Sequence, residues 1–501
     1  MYTLYIGTFI HLPRLPADAD LDADHKLSIN HGALWVSEDG IIEGFDWSVK
    51  SPKDVKAFLR KKGWVAEGEK GKGKGQATQV KVVVAREDRN EFFFPGFVDT
   101  HIHAPQYPNT GLFSTSGLLT WLQTYTFPME SSFASPSSLP TVPPPQAYRV
   151  YNQVISRTLS HGTTTASYFA TIHLPATNLL ATLCHARGQR ALIGRVCMDN
   201  PATCPDYLLD EPDSVVPITE ASIAHIRRLD PEGQLINPVI TPRFAPSCTH
   251  ASLASLSELA ASATPPLHIQ THLAENLDEL ALVHDLFPRA RDYTSVYDHF
   301  GLLTPKTILA HAVHLSDAER EMIRDRKAKI SHCPASNSAL GSGICPVRRT
   351  LRAGIPVGLG TDVSGGYAVS MLEAVRQACL VSRLLPHASP TTTTEEKQKN
   401  QDIIDVNQAL YLSTRGSAAV LNMAGQIGGF DAGMSWDAQL IRLGAYRSVV
   451  SGKGVAESNV DVFGMESWEE KVQKWVWSGD DRNVRAVWVG GRLVHETRDG
   501  R

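Results

Sequence analysis

Pro95-Gly96-Phe97-Val98-Asp99-Thr100-His101-Ile102-His103 is an apolar run that closes on a His-x-His pair. Residues two apart on a strand project to the same face. His101 and His103 therefore aim both imidazoles at one point just past the strand's end. Imidazole is the commonest metal ligand among side chains near neutral pH, and it suits Zn, Fe and Ni. A bare His-x-His is more often structural than metal-binding, so the pair takes its meaning from the rest of the chain. From Phe94 onward, strand and helix patterns alternate. Strands are predicted at Phe94–His101, Thr163–Ala170, Arg190–Met198, Ile236–Phe244, Leu267–His272, Thr307–His311, Ala328–Cys333 and Ile355–Thr361. Several are near-continuous apolar runs, as parallel strands buried on both faces require. Helices are predicted between them, among them Ala147–Ser160, Ala176–Arg187, Ile218–Arg228, Ser252–Ala263, Leu277–Phe287, Ser316–Asp325 and Met371–Leu385. Eight such units predict an α/β fold, a TIM-like (β/α)8 barrel with its active site at the C-terminal ends of the strands. A doubly wound open sheet also alternates, but it does not place ligand-type residues at the end of strand after strand.

On either side of the barrel, short strands replace the alternation. Tyr2–Ile10, Gly32–Ser37, Ile41–Phe45 and Gln79–Ala85 read as strands, with Asp39-Gly40 as a hairpin turn. Ser435–Leu443 and Val484–Val494 read as strands after the alternation fades. The expected organisation is a small accessory β sheet built from residues 1–93 and 431–501, with the barrel over 94–430. Three insertions, at about 50–78, 131–146 and 387–400, read as surface loops. The Ser/Pro-rich one begins at Glu130, and the first carries the run Lys70-Gly71-Lys72-Gly73-Lys74-Gly75. A Gly-Lys run is usually a solvated loop rather than a nucleic-acid patch.

The 501-residue chain is 42% hydrophobic and 20% charged, ordinary for a globular protein. A formal net charge of −4 gives no bulk attraction to nucleic acid or acidic membranes. No apolar run approaches the roughly 20 residues that span a bilayer, and Met1–Ile10 lacks the basic leader of a secretory signal. Seven dispersed Cys, with no Cys-x-x-Cys, point to reduced thiols and a cytoplasmic location.

Residues suited to chemistry recur at the predicted strand ends. Arg243 and Phe244 end the fourth strand, His272 the fifth with Glu275 three residues on, His311 the sixth and Asp362 the eighth. Alone, His272 reads as a satisfied strand-end histidine and Asp362 as a turn or cap residue. His268, His314 and His332 are local or off-register. At one barrel mouth, His101, His103, His272 and Asp362 supply three imidazoles and a carboxylate to one cation, leaving a position open for water.

This order of ligands resembles the amidohydrolase superfamily of metal-dependent hydrolases. The local sequences are similar, more closely, to its guanine deaminase family, over about residues 90 to 440. The stretches that carry the resemblance are Pro95–Tyr107, Trp121–Pro128, Gly162–His173, Gly188–Ala191, Thr241–Phe244, Tyr293–Asp298 and Gly358–Tyr367. The resemblance implies hydrolytic deamination of free guanine to xanthine and ammonia, with a homodimer as the expected assembly. It implies one zinc ion per chain, with Fe(II) the alternative, because the fourth strand has no Lys to bridge two metals. Glu275 is then the proton shuttle and Asp362 and His311 handle the attacking water, with His311 either a distal ligand or only a contact to the water. Gln106, Arg243 and Phe244 would bind the guanine alongside His272, Glu275 and Asp362. Arg243, donor-only, suits the six-position carbonyl. The alternatives are a related enzyme acting on a pterin, triazine or adenosine-type compound, and a metal-free scaffold on the same fold. A nucleic-acid deaminase is disfavoured, since the Pro-Cys-x-x-Cys that it needs is missing.

Overall fold

The structure, a computed structural model, describes residues 1–16, 19–68, 78–388, 401–444 and 458–497. Six strands come first: β1 (Tyr2–His11), β2 (Ser28–Val36), β3 (Ile42–Asp46), β4 (Trp64–Ala66), β5 (Thr78–Val84) and β6 (Glu91–Pro95). The barrel strands follow: β7 (Phe97–His103), β8 (Thr163–Phe169), β9 (Arg190–Gly194) with the short β10 (Val196–Cys197), β11 (Ile236–Pro242), β12 (His268–Leu273), β13 (Thr307–His311), β14 (Lys329–His332) and β15 (Val357–Leu359). Three more close the chain: β16 (Ala438–Arg442), β17 (Val484–Val489) and β18 (Arg492–Glu496).

The barrel strands pair in parallel in the order β15-β14-β13-β12-β11-β9-β8-β7. The ring closes between its last and first members through loop backbone. Asp362 N donates to His101 O at 2.8 Å, and His103 N donates to Val363 O at 2.9 Å. The eighth strand end is thereby brought against the His-x-His pair.

The expected first strand, Phe94–His101, is two strands. Glu91–Pro95 belongs to the accessory sheet, which runs β18-β17-β16-β6-β1-β2-β3 with β5 parallel to β1. Gly96 is the crossing point into the barrel. A Cβ there would stand 2.2 Å from the Thr164 side chain, so no larger residue fits this close approach. Tyr5, Phe9, Phe93, Trp436 and Trp488 from both chain ends pack into one aromatic cluster on the accessory sheet. The predicted strand Val484–Val494 is a hairpin instead, because Gly490 and Gly491 take φ of 55° and 74°, a two-residue turn that folds β18 back on β17.

The insertions also depart from simple loops. Residues Pro52–Lys62 form a helix, started by a reciprocal cap between Ser51 and Asp54. Lys70–Gly75 lies outside the described residues, as does most of 387–400, whose His387 still belongs to the helix Met371–Ala388. The stretch from Glu130 to Gln146 is not all surface, since Glu130 and Phe133 are fully buried. Among the described residues, no helix is long and apolar enough to cross a membrane.

Candidate active site

Strand β7 presents Asp99, His101 and His103 on one face, as the period of two requires. Asp99 stays beneath the site. Its carboxylate accepts from His101 N at 3.2 Å, from Thr361 N at 3.0 Å and from the Thr361 hydroxyl. These bonds tie the first strand to the chain just before Asp362. Burial pushes the Asp99 carboxyl up to about 7.

The predicted ligands converge. His103 Nε2 stands 3.2 Å from both His101 Nε2 and His272 Nε2. Asp362 Oδ1 is 3.1 Å from His101 Nε2 and 3.4 Å from His103 Nε2. Ligand atoms roughly 2.0–2.1 Å from a tetrahedral metal lie about 3.3 Å apart, so this spacing fits a shared cation. The protonation states agree. His272 Nδ1 is 2.5 Å from Arg243 O, and a carbonyl only accepts, so the proton sits on Nδ1 and Nε2 offers a lone pair. Burial, reinforced by the neighbouring His101, pushes His103 and His272 well below the usual imidazole range and so keeps them neutral. Burial opposes charge on Asp362 too, but His101 and His311 outweigh it and hold the carboxyl well below the carboxylate range. Three neutral imidazoles and a carboxylate are a donor set for zinc or another borderline divalent metal.

Beside this cluster is a proton-handling pair. His311 Nε2 lies 3.4 Å from Glu275 Oε2 and 3.6 Å from Asp362 Oδ2, while its Nδ1 lies 2.9 Å from the amide oxygen of Asn337. Burial works against a charged His311, yet the Glu275 and Asp362 carboxylates prevail and raise its pKa. Glu275 is buried, which pushes its carboxyl up to about 7 against the opposing pull of His311. Ser342 donates to its Oε1 at 2.9 Å. Its backbone N–H is held by Glu279 Oε2 at 2.8 Å, and Tyr293 steadies Glu279 at 3.0 Å. Ala274, His311, Ala312 and Asp362 all take left-handed backbone with φ between 48° and 72°. Such strain in non-glycine residues, gathered at strand ends, is typical of functional sites.

One cavity is lined by His103, Gln106, Arg243, Phe244, His272, Glu275, His311 and Asp362. His101 stands behind it. All the predicted site residues thus meet at the C-terminal mouth of the barrel. Arg243 forms no surface salt bridge. Its guanidinium is buried against Glu130, with Nη1 to Oε2 at 2.7 Å and Nη2 to Oε1 at 3.2 Å. Gln106 Nε2 donates to the same Glu130 Oε1 at 2.7 Å. Phe127 lies 5.2 Å from the guanidinium carbon. Phe127 and Glu130 ride on the helix Phe127–Ser131, entered through a π-helical turn over Leu122–Thr126, while Trp121 and Leu122 from the same segment line the cavity.

Among the residues not anticipated, besides Asp99, Asn337 and Ser342, are Glu130, Glu279 and Cys333. Glu130 has no local signal, since it heads a Ser/Pro-rich stretch. Glu279 does have one, the Asn276-x-x-Glu279 capping box that starts its helix. Cys333, at the end of β14, joins His101, His311 and Asp362 in a second group of candidate ligand atoms within 4.8 Å. Burial holds its thiol well above the usual range.

The Amidohydrolase family model matches residues 92–494. A probable guanine deaminase of Schizosaccharomyces pombe is 46% identical over 405 residues, 81% of this chain and 71% of that one. The guanine deaminase of Homo sapiens is 40% identical over 409 residues, 81% and 83% of the two chains. In structure, a guanine deaminase from C. acetobutylicum with guanine bound in its active site superposes with a TM-score of 0.78 and 29% identity, covering 99% of this chain and 100% of that one.

Proposed function

Because the chain belongs to the amidohydrolase family and aligns with guanine deaminases over four-fifths of its length, we propose that it hydrolyses guanine to xanthine and ammonia. The observation that carries this reading is the joint lining of one cavity. The imidazole–carboxylate cluster and Glu275 stand in the same wall system as Gln106, Arg243 and Phe244.

In this reading His101, His103, His272 and Asp362 hold one divalent metal, zinc by ligand type and Fe(II) as the alternative. When bound, the metal supplies an acidified water that is nucleophilic at neutral pH. Asp362 and His311 orient that water and take its proton as its oxygen bonds to the ring carbon bearing the exocyclic amine. Glu275 simultaneously protonates the ring nitrogen beside that carbon, for which a carboxyl titrating near 7 is suited. On collapse, the amine takes the proton stored at Asp362 and His311 and leaves as ammonia. The hydroxyl proton returns to Glu275 and the new carbonyl forms. Arg243 donates to the six-position carbonyl, Gln106 bonds the adjacent edge and Phe244 packs on the ring face.

A homodimer is part of the proposal, carried by the resemblance to the family and open to sedimentation analysis. A cytoplasmic location rests on seven cysteines that are all free and buried. Ammonia release from guanine by metal-replete protein, with adenine, a pterin and an amino-triazine alongside, tests the reading. Turnover of guanine well above the others is expected. No release from guanine by protein that holds its metal overturns it.

A further inference from the structure

Glu130 is fully buried, and its carboxylate accepts from both Arg243 terminal nitrogens and from the Gln106 side-chain amide. Both partners line the cavity, whereas Glu130 stands behind them. This arrangement fixes the polarity of the wall. An ionised carboxylate only accepts, so Gln106 must turn its NH2 toward Glu130. Its Oε1, 3.4 Å from Ser364 N and 3.5 Å from Ser364 Oγ, is left as the acceptor end. The two ends of a glutamine amide have nearly the same shape, so its polarity is set by such partners: Glu130 holds the NH2 end at 2.7 Å, and the Ser364 N–H supports the oxygen end at the longer 3.4 Å. Arg243 is donor-only, and its charge is matched by Glu130, so the wall offers a donor without a net charge.

We propose that Glu130 is the positioning residue that sets purine selectivity, by holding Gln106 as an acceptor and Arg243 as a neutralised donor. The proposal rests on the guanine deamination reading. A wall with one acceptor beside one donor matches a ring N–H next to a ring carbonyl, which is the edge guanine presents. 2,6-Diaminopurine carries the same reactive amine at the two-position. At the neighbouring edge it has a bare ring nitrogen and an amine, so both polarities are inverted. A site that hydrogen-bonds a polar edge rejects the mismatched analogue strongly, since its own buried groups are left unpaired. Loss of the Glu130 charge leaves Gln106 oriented only by the longer Ser364 contacts and leaves Arg243 uncompensated, which weakens that rejection.

The test measures kcat and KM of wild type, Glu130→Gln and Glu130→Asp on guanine and on 2,6-diaminopurine, with thermal melts of each protein. For Glu130→Gln, the guanine KM is expected to rise by about tenfold or more, with kcat much less affected. The ratio of kcat/KM for guanine over 2,6-diaminopurine should fall by about tenfold or more. Glu130→Asp keeps the charge and should recover part of that ratio. It also serves as the readable variant if Glu130→Gln does not fold. Equal losses on both substrates, with the ratio unmoved in the folded variants, overturn the assignment alone. A wild type that turns over neither guanine nor its edge analogue overturns the functional reading, and the assignment with it.

Discussion

Glu275→Gln tests proton transfer with little change in the shape of the site. The two side chains have nearly the same shape, and the Ser342 hydroxyl, 2.9 Å from Oε1, keeps an acceptor in the amide. The backbone of residue 275 remains fastened to Glu279. What disappears is a titratable proton near the reacting ring nitrogen, together with the carboxylate that helps raise the His311 pKa. General acid–base groups typically contribute about 10²–10⁴ in rate, and each tenfold costs ~1.36 kcal/mol of barrier. A loss of kcat of at least about a hundredfold is therefore expected. Arg243, Gln106 and Phe244 are untouched and an amide at 275 still offers the substrate a hydrogen bond, so KM should move much less than kcat, and kcat and kcat/KM should fall nearly together. Stability should not fall. Burial raises the Glu275 carboxyl from 4.5 to about 7. In that window the folded chain holds the proton more tightly than the unfolded chain, so the group's contribution to stability declines as pH rises from 4.5 toward 7. An amide carries no such penalty at neutral pH. The assay is steady-state ammonia release from guanine, with a melt and a metal determination on the same samples. Activity within about threefold of wild type would refute Glu275 as the shuttle. Loss of activity with a lowered melting temperature or lost metal would refute the claim that the site keeps its shape.

Chelation should abolish activity and lower the melting temperature, and zinc should restore both. The gain is about 2.7 kcal/mol at a metal concentration a hundred times its Kd, and one ion per chain should be found by elemental analysis. Gly96→Ala should destabilise the fold by about 1–3 kcal/mol through overpacking, because its Cβ would meet Thr164 at 2.2 Å. An unchanged urea midpoint would refute the close-approach argument. His11, His173 and His268 are each lowered by burial to about 4, so each stays neutral when folded but protonates near 6.5 when unfolded. Their stabilising contribution is complete above 6.5 and is lost as pH falls toward 4. Each adds at most about 1.4 kcal/mol per pH unit to the slope, which urea titrations at several pH values would detect.

The sequence alone determined the barrel and the residues at its mouth. A strand turns alternate side chains to one face, and parallel barrel strands all end at one rim. His101, His103, His272, His311 and Asp362 could therefore be placed together from their positions at strand ends. The same local rules carried Glu275, three residues beyond a strand end. They failed where a boundary depends on a neighbour distant in sequence. The break at Gly96 follows from Thr164, and β18 turns back only because Gly490 and Gly491 pair it with β17. Only the tertiary structure decided the polar wall of the pocket. Glu130 heads what reads as a solvated Ser/Pro-rich loop, and its partner Arg243 is 113 residues away. Periodicity says which face of an element is buried. It does not say which charge from another element will meet a buried guanidinium, because that depends on the full path of the chain between them and on the cost of leaving either charge unpaired.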